Sequence, residues 1–268
     1  IGQPHDRELL DFAIAAFKEI ERTAGIHLTT GQDLGHGTLH DGSTTSLEYL
    51  NARYHGSVVA DTSEPTGEGN YRILDGMLRG VGVPLDQATV ALIGCGNIGM
   101  HIVEKLRERG STILACEARA SRREELEALG IRTWKPEEKA AMLREPMDAL
   151  VLNAAGGSMD LATARACAAN PRLRVICGSE NLAMPDPAAA GILRAAKKIY
   201  APTELGGMMG YLTAVEEYLA RAAGVPFEVK TLIDAAEQLD GAGFAAAERV
   251  VAGGYKESFE EAITAIYA

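Results

Sequence analysis

The chain has 268 residues, of which 47% are hydrophobic and only 5% aromatic, with 29 glycines. An aliphatic, glycine-rich chain of this length favours α/β layers, in one large domain or two modest ones, over an all-β sandwich. The net charge of −11 argues against non-specific binding to nucleic acid or to an anionic membrane, and no apolar run approaches the roughly 18 residues that span a bilayer.

The first part of the chain predicts one long helix followed by loops. Apolar residues recur at helical spacing over residues 6–24, with Asp6 as the expected N-cap and Gly25 as the expected C-terminal stop. Residues 26–68 are rich in Gly, Ser, Thr, His and Asp and predict loops, and so long an irregular stretch is usually functional. A second helical pattern covers residues 69–82.

Strands and helices then alternate strictly. Five apolar segments predict buried strands with amphipathic helices between them: TVALIGCG, STILACE, DALVLNAA, LRVICGS and KIYAP. This alternation predicts a Rossmann-type α/β fold, a doubly wound parallel sheet with flanking helices and right-handed crossovers. From about Gly206 the pattern is helical to the last residue.

The segment GCGNIG places Gly94, Gly96 and Gly99 in the spacing of a dinucleotide-binding turn. The motif follows an apolar strand and opens a helix, and Glu117 ends the next predicted strand. Gly94 would allow the tight turn, Gly96 would let the backbone approach a pyrophosphate, and Gly99 would let helix and strand pack closely. The amides at the start of the helix would bind the anion.

Glu117 is expected to accept hydrogen bonds from the adenosine ribose, which favours NAD over NADP. Arginines that follow it leave NADP open, since they could hold a 2′-phosphate or simply form a charged helix surface: Arg119, Arg122 and Arg123. Ligands bind outside the carboxyl ends of parallel strands, so Asn153 is also expected beside the cofactor. The other predicted cofactor contacts in these segments are Asn97, Ile98, Ala118, Ala154 and Ala155.

Neither the cysteines nor the histidines show metal-ligand spacing, and no metal site is predicted. The cysteines are expected to be reduced core thiols, which, with the lack of a signal-peptide pattern, favours a cytoplasmic location: Cys95, Cys116, Cys167 and Cys177. The histidines near the N-terminus are interpreted as loop residues: His27, His36, His40 and His55.

Five segments carry a wider pattern in a fixed order: HLTTGQDLGHGT, SEPTGEGNYRILDGM, VALIGCGNIG, VICGSENLAMPDP and KIYAPTELGGMMGYLTAVEEY. In these segments, which run through almost the whole chain, the sequence resembles the Glu/Leu/Phe/Val class of amino acid dehydrogenases, and most of all its leucine dehydrogenase branch. The resemblance implies a homo-oligomer that catalyses the reversible, NAD-dependent oxidative deamination of an L-amino acid to a 2-oxo acid and ammonia.

The resemblance also assigns roles to single residues. Asp33 would be the catalytic carboxylate that handles protons beside a lysine and, like Thr66, would contact the substrate. Thr66 and Asn181 would lie near the cofactor, and Met208 and Met209 would line an apolar side-chain pocket, which favours an apolar or branched amino acid. Judged from the residues alone, Asp33 and Asn181 could equally be turn residues, Thr66 a helix cap and the two methionines part of the core.

Two features depart from the family. Its two functional lysines would precede the helix that begins near Asp6, yet only Lys18 precedes Asp33, and the late segment lacks the family's Asn before Gly-Gly. The chain is therefore expected to lack that region because it is a fragment, because a partner chain supplies the region, or because the protein has lost it.

The expected organisation has three parts. Residues 1–70 would be a remnant of the substrate domain with the active-site loops, residues 71–205 the NAD-binding domain, and residues 206–268 helices that pack back toward the active-site cleft. Two other functions stay open: a non-catalytic NAD-binding subunit or pseudoenzyme, and an imine or keto-acid reductase of specialised metabolism.

Overall fold

A computed structural model describes residues 2–29, 37–58 and 60–268. The chain divides into two compact units, which are described separately below. Unit 1 comprises Ile1–Thr62 and Gly210–Val229, and unit 2 comprises Ser63–Met209 and Lys230–Ala268. Asp33 and His36, two residues singled out from the sequence, lie outside the described residues.

The first helix of unit 1, α1 (Asp6–Ala24), has the predicted bounds and ends at Gly25, whose left-handed φ of 66° stops it. The prediction that Asp6 caps this helix is wrong, because His5 occupies the N-cap. The carboxylate of Asp6 instead accepts hydrogen bonds from the backbone N–H groups of Gly2 (3.1 Å) and His40 (2.7 Å). Asp6 therefore holds two backbone segments outside the helix against its first turn and does not cap the helix.

The prediction that residues 26–68 are loops is wrong in two places. A short helix, α2 (Ser46–Asn51), is held by a capping box in which the side chains of Thr45 and Glu48 satisfy each other's backbone N–H. The next helix, α3 (Ser63–Gly80), begins six residues before the predicted start at residue 69. The core of unit 1 packs α1 against α2 and its flanking turns through Leu10, Ile14, Leu39, Tyr49 and Tyr54.

Unit 2 contains an all-parallel sheet of six strands in the order β3-β2-β1-β4-β5-β6, which confirms the predicted Rossmann-type fold. The third strand was missed because an edge strand of three residues, none of them buried, is too short to show a pattern. The strands are β1 (Thr89–Ile93), β2 (Thr112–Cys116), β3 (Arg132–Trp134), β4 (Ala149–Leu152), β5 (Val175–Gly178) and β6 (Ile199–Tyr200).

Helices connect and cover the strands. Alternate strand residues such as Ile93, Leu150 and Ile176 pack against one layer of helices in a single buried cluster. The remaining helices are α4 (Asn97–Glu108), α5 (Ala120–Ala128), α6 (Lys139–Met142), α7 (Leu161–Ala169), α8 (Ala188–Ala195), α9 (Thr203–Ala223), α10 (Val229–Ala236), α11 (Gln238–Ala252) and α12 (Phe259–Tyr267).

Helix α3 is almost entirely buried in unit 2, where it packs against α4 and α11. The apolar residues that fall on one face of the predicted helix are all buried: Ile73, Leu74, Met77 and Leu78. A Cβ added at Gly76 would overlap the carbonyl oxygen of Asp240, so α3 and α11 approach as closely as their backbones allow. This contact fixes α3, and with it the residues at its N-terminal end.

The four cysteines are free and buried, which confirms their predicted place in the core. Burial raises the pKa of the Cys95 thiol to about 12, so the group stays protonated at neutral pH. Among the helices of the described ranges, none is both long and apolar enough to cross a membrane.

Candidate functional site

The strand order of unit 2 reverses at the carboxyl ends of β1 and β4, and this edge of the sheet is called the crevice below. The chain leaves β1 toward β2 and β3 and then returns to β4 on the opposite side of β1. Ligands of doubly wound sheets bind at such a reversal, outside the carboxyl ends of the strands. Gly94 directly follows β1 and Asn153 directly follows β4, so the structure brings these two predicted cofactor residues together at this point.

The glycines of the β1–α4 turn (Gly94–Gly99) are of two kinds. Gly94 has a φ of +87°, and a Cβ there would lie 2.5 Å from the carbonyl oxygen of Asn153. A Cβ on Gly99 would lie 2.5 Å from the oxygen of Gly94. A Cβ on Gly96, by contrast, would meet nothing nearer than Arg119 Nη2 at 3.8 Å. The protein's own packing requires Gly94 and Gly99, whereas Gly96 leaves space beside the turn.

The N-terminus of α4 opens onto that space. Gly96 occupies the N-cap and offers no capping side chain, and Asn97 at the first helical position is exposed, with Ile98 half-buried behind it. Backbone N–H groups and the positive end of the helix dipole make such a terminus attractive to phosphate. The Arg119 guanidinium beside Gly96 adds a positive charge.

Glu117 follows β2 and is only 5% exposed. Its carboxylate accepts hydrogen bonds from the backbone N–H of Cys95 (2.7 Å) and of Arg119 (2.9 Å), and Arg119 Nε lies 3.4 Å away. Burial raises the pKa of Glu117, but these hydrogen bonds and the Arg119 charge lower it by more, so the pKa lies below its ordinary value. Glu117 is therefore anionic at neutral pH. Its hydrogen bonds connect the end of β2 to the β1–α4 turn.

The three arginines after Glu117 differ in their contacts. Arg122 pairs with Glu125 (2.6 Å), and Arg123 donates to the backbone oxygens of Glu117 (2.8 Å) and Ala118 (2.7 Å). Arg119 alone of the three reaches the space beside Gly96. Ala118 itself is exposed at the end of β2.

Asn153 carries an unpaired amide nitrogen at the crevice. Its Oδ1 accepts hydrogen bonds from the backbone N–H (3.1 Å) and the hydroxyl (2.9 Å) of Ser179, which fixes the orientation of the amide. Its Nδ2 is buried and has no hydrogen-bond partner within the part of the chain that the structure describes. An unpaired buried donor is costly unless a ligand or water satisfies it. Asn153 therefore fits a role in which it donates to a bound group.

A buried carboxylate that sequence analysis missed organises the loop after β4. Glu180, 2% exposed, accepts hydrogen bonds from the backbone N–H of Ala154 (3.0 Å) and of Ser158 (2.7 Å). Ala155 is exposed between them, and the exposed Asn181 follows Glu180 on the loop after β5. The sequence feature that could have indicated this role for Glu180 was an acidic residue just after a buried strand.

The N-terminal part of α3 carries a second carboxylate that was missed. Glu68 lies two residues after the buried Thr66 and is 2% exposed. Its carboxylate contacts Arg72 Nε (2.7 Å), His101 Nε2 (3.1 Å) and Lys105 Nζ (3.4 Å), and so links α3 to α4. Burial raises the pKa of Glu68, but the hydrogen bonds from His101 and Arg72 and the nearby charges lower it to about 2.

The two methionines predicted to line a side-chain pocket differ in burial. Met209 is 2% exposed, and a Cβ on Gly69 would lie 2.6 Å from its Cγ, so it packs closely against α3. Met208 is half-buried. Of the two methionine side chains, that of Met208 retains access to solvent.

Unit 2 also has a cavity of about 620 Å³. It is bounded by α8, β6 and the starts of α9 and α12, and its lining includes Leu182, Arg194, Tyr200, Glu204 and Tyr255. Among the described residues, none of those predicted to bind cofactor or substrate lines it. The crevice at β1 and β4, where the predicted residues converge, is the better candidate site.

These features define unit 2 as a Rossmann-like domain with a candidate dinucleotide site. Solved structures of amino acid dehydrogenases share the fold of the chain. L-tryptophan dehydrogenase from Nostoc punctiforme aligns over 97% of this chain and 70% of its own, with a TM-score of 0.70 and 17% identity. Plasmodium falciparum glutamate dehydrogenase aligns over 97% and 63%, with a TM-score of 0.69 and 17% identity.

The hetero-hexameric glutamate dehydrogenase from Thermus thermophilus, in its Leu-bound form, aligns over 98% of this chain and 67% of its own, with a TM-score of 0.67 and 17% identity. The chain thus spans about two thirds of the length of these enzymes. No family model and no curated protein matches the sequence. The resemblance drawn from the sequence motifs is confirmed at the level of the fold.

Proposed function

We propose that this protein binds NAD at the β1–α4 turn and catalyses the reversible oxidative deamination of an apolar or branched L-amino acid to its 2-oxo acid and ammonia. The observation that carries the proposal is the contrast within the turn. Gly94 and Gly99 are needed by the fold, whereas Gly96 is not and leaves the α4 N-terminus accessible. An uncapped helix terminus beside an open glycine suits a pyrophosphate.

The residues of the crevice fit a dinucleotide. The turn and α4 would hold the pyrophosphate through Gly94, Gly96, Asn97, Ile98 and Gly99. Glu117 and Ala118 would contact the adenosine ribose, with NAD preferred because an anionic Glu117 repels a 2′-phosphate. The nicotinamide half would be held by Asn153, Ala154, Ala155, Thr66 and Asn181. The bound cofactor supplies a hydride acceptor.

The substrate part of the proposal rests on the sequence resemblance and on the neighbours. Those neighbours are named as tryptophan and glutamate dehydrogenases, so an L-amino acid is the proposed substrate class. Met208 and Met209 are proposed to contact an apolar side chain, and Thr66 to contact the substrate. Asp33 is proposed as the carboxylate that moves protons at the substrate amino group.

A second candidate is a nucleotide-binding protein without dehydrogenase activity. The open Gly96 and the Nδ2 group of Asn153 serve cofactor binding alone, so both candidates share them. In this alternative the cofactor would bind, but no amino acid would be oxidised.

The deciding experiment measures NAD binding by calorimetry and NADH formation from a panel of L-amino acids at alkaline pH. The proposal expects binding, and turnover that is greatest with apolar or branched substrates. The variant Asp33→Asn should lose at least about 99% of the turnover while still binding NAD. Asp86→Asn, at an exposed position outside the crevice, is the matched control and should keep full turnover.

Binding without turnover on any amino acid would replace the first candidate by the second. Full activity of Asp33→Asn would remove Asp33 from the mechanism. Preference for NADP in the same titration would overturn the role given to Glu117. The proposed homo-oligomer is tested on the same sample by sedimentation velocity.

A further inference from the structure

Unit 1 brings together three potential metal ligands, two of them near each other in the sequence and the third far from both. Glu21 lies in the last turn of α1, His27 follows the end of that helix, and His55 lies in the turn after α2. Glu21 Oε1 is 3.2 Å from His55 Nε2 and 4.0 Å from His27 Nδ1. One ligand atom from each of the three residues lies within 4.8 Å of the other two.

The carboxylate at the centre is held by the core of unit 1. The Tyr54 hydroxyl lies 2.9 Å from Glu21 Oε1 and 2.9 Å from the Leu28 carbonyl oxygen, and the Leu28 N–H donates to the same Oε1 (3.3 Å). Tyr54 is itself 1% exposed and packs against the ring of Phe17 at 5.4 Å. Glu21 is thereby oriented, as metal-binding carboxylates commonly are by hydrogen bonds from outside the ligand set.

The two imidazoles, in contrast, are largely exposed and, apart from their contacts with Glu21, are held only by ring contacts, with centroids 4.9 Å apart for His55 and Tyr54 and 6.4 Å apart for His27 and Tyr218 among the described residues. The side chain of His27 is 72% exposed and that of His55 is 55% exposed. Bonds of about 2.0–2.1 Å around a tetrahedral ion place two nitrogen ligands about 3.4 Å apart. Small rotations of exposed rings suffice to bring the observed separations to that value while the carboxylate stays in place.

We propose that Glu21, His27 and His55 (the Glu21 cluster) form a binding site for a divalent transition-metal cation such as Zn²⁺. Two imidazoles and one carboxylate are ligands that zinc and its neighbours prefer, and three protein ligands leave a fourth position for water. Ca²⁺ and Mg²⁺ require mainly oxygen ligands and fit poorly. The cation would join the end of α1, the segment after it and the turn after α2, and so stabilise unit 1.

The crowding around one oxygen separates this proposal from an ordinary surface ion pair. Three groups lie within hydrogen-bonding distance of Glu21 Oε1: the Tyr54 hydroxyl, the Leu28 N–H and His55 Nε2, whereas His27 Nδ1 lies 4.0 Å away. A carboxylate oxygen has only about two lone-pair sites for donors. A neutral His55 whose Nε2 binds a cation does not donate to this oxygen, and two donors then remain.

The test is calorimetric titration of Zn²⁺ into the full chain, without an affinity tag and without nucleotide. We expect one Zn²⁺ per chain, and a loss of affinity of at least tenfold in His27→Ala and in His55→Ala. The matched control is His5→Ala, because His5 is also an exposed histidine beside a carboxylate, with its ring 3.4 Å from Glu8, and no third ligand joins this pair among the described residues. This control should bind as the unchanged protein does.

A second measurement uses Co²⁺ as a probe. Its visible absorption should report a low-coordinate site with nitrogen ligands, and the signal should vanish in His27→Ala. Zn²⁺ should also raise the thermal midpoint of the unchanged protein relative to EDTA, but not that of either variant. Binding by both histidine variants equal to that of the unchanged protein, or no stoichiometric uptake, would overturn the site. Since no nucleotide is present, neither outcome bears on the dehydrogenase proposal.

Discussion

The β1–α4 turn and the Glu21 cluster are built in opposite ways. In the turn the backbone itself forms the site, and adjacent segments approach so closely that a Cβ on Gly94 would lie 2.5 Å from the oxygen of Asn153. In the Glu21 cluster, two exposed imidazoles surround one carboxylate that the core holds in place. A site made of packed backbone cannot change without a cost to the fold, whereas exposed side chains can be removed at little cost.

The largest effect should come from Gly94→Ala. A residue with a Cβ is strained at a φ of +87°, which costs about 1–3 kcal/mol, and the overlap with Asn153 adds about as much again. We expect a loss of about 3–5 kcal/mol in the free energy of unfolding, measured by urea denaturation, together with loss of NAD binding. Stability equal to that of the unchanged protein would mean that the turn is not packed as described.

The matched variant is Gly96→Ala in the same turn. Its Cβ would meet nothing within 3.8 Å, so the cost should stay below about 1 kcal/mol, as for a change of N-cap residue. NAD binding should nevertheless weaken at least tenfold, because the methyl group would occupy the space beside the α4 N-terminus. Equal losses of stability in Gly94→Ala and Gly96→Ala would contradict the distinction between a glycine that the fold requires and a glycine that the ligand requires.

The sequence predicted the turn because its determinants are local. A strand, three spaced glycines, a helix and an acidic residue at the end of the next strand lie within 29 residues, Thr89 to Glu117. The alternation of strands and helices could be predicted for the same reason, because each element is specified by residues that are close together in the sequence. Strand β3 was missed because a three-residue edge strand carries no periodicity.

Contacts between distant segments could not be predicted in the same way. Glu21, His27 and His55 have no metal-ligand spacing, and only the packing of Tyr54 against α1 brings them together. Glu180 and Glu68 were missed for a related reason: acidic residues are usually exposed, and their burial becomes explicable only when their N–H and cationic partners are seen.

The next largest effect should come from Glu180→Ala. This carboxylate satisfies the buried N–H of Ser158 and the N–H of Ala154, and leaving such groups unpaired costs about 2–4 kcal/mol in all. NAD binding should weaken as well, because the loop after β4 loses its anchor. Glu137→Ala, at an exposed position, is the control, and a similar loss of stability there would contradict the specific role of Glu180.

The acid sensitivity of Glu68 gives a further test of a buried carboxylate. Its pKa of about 2 in the folded protein lies below the ordinary 4.5. Its stabilisation is therefore complete above pH 4.5 and is lost as the pH falls toward 2, amounting to about 3 kcal/mol. In Glu68→Gln, the free energy of unfolding should depend less on pH across this window. Urea denaturation curves of equal pH dependence would refute the assignment.

The smallest effect should come from His55→Ala in the presence of EDTA. The Glu21–His55 contact involves a side chain that is 55% exposed, and such pairs contribute about 0–1 kcal/mol. We expect a change in the free energy of unfolding within about 0.5 kcal/mol. A larger loss without any metal would show that the Glu21 cluster supports the fold directly rather than through a cation.

The central claim, that the β1–α4 turn binds a dinucleotide, is tested most directly by calorimetric titration of NAD into the unchanged protein and into Gly96→Val. A bulkier side chain at an open position should abolish binding while circular dichroism shows the fold intact. Gly241→Val, at a glycine of α11 where no described atom lies within 4 Å of an added Cβ, should bind as the unchanged protein does. Undiminished NAD binding by a folded Gly96→Val, or no NAD binding by the unchanged protein, would contradict the account.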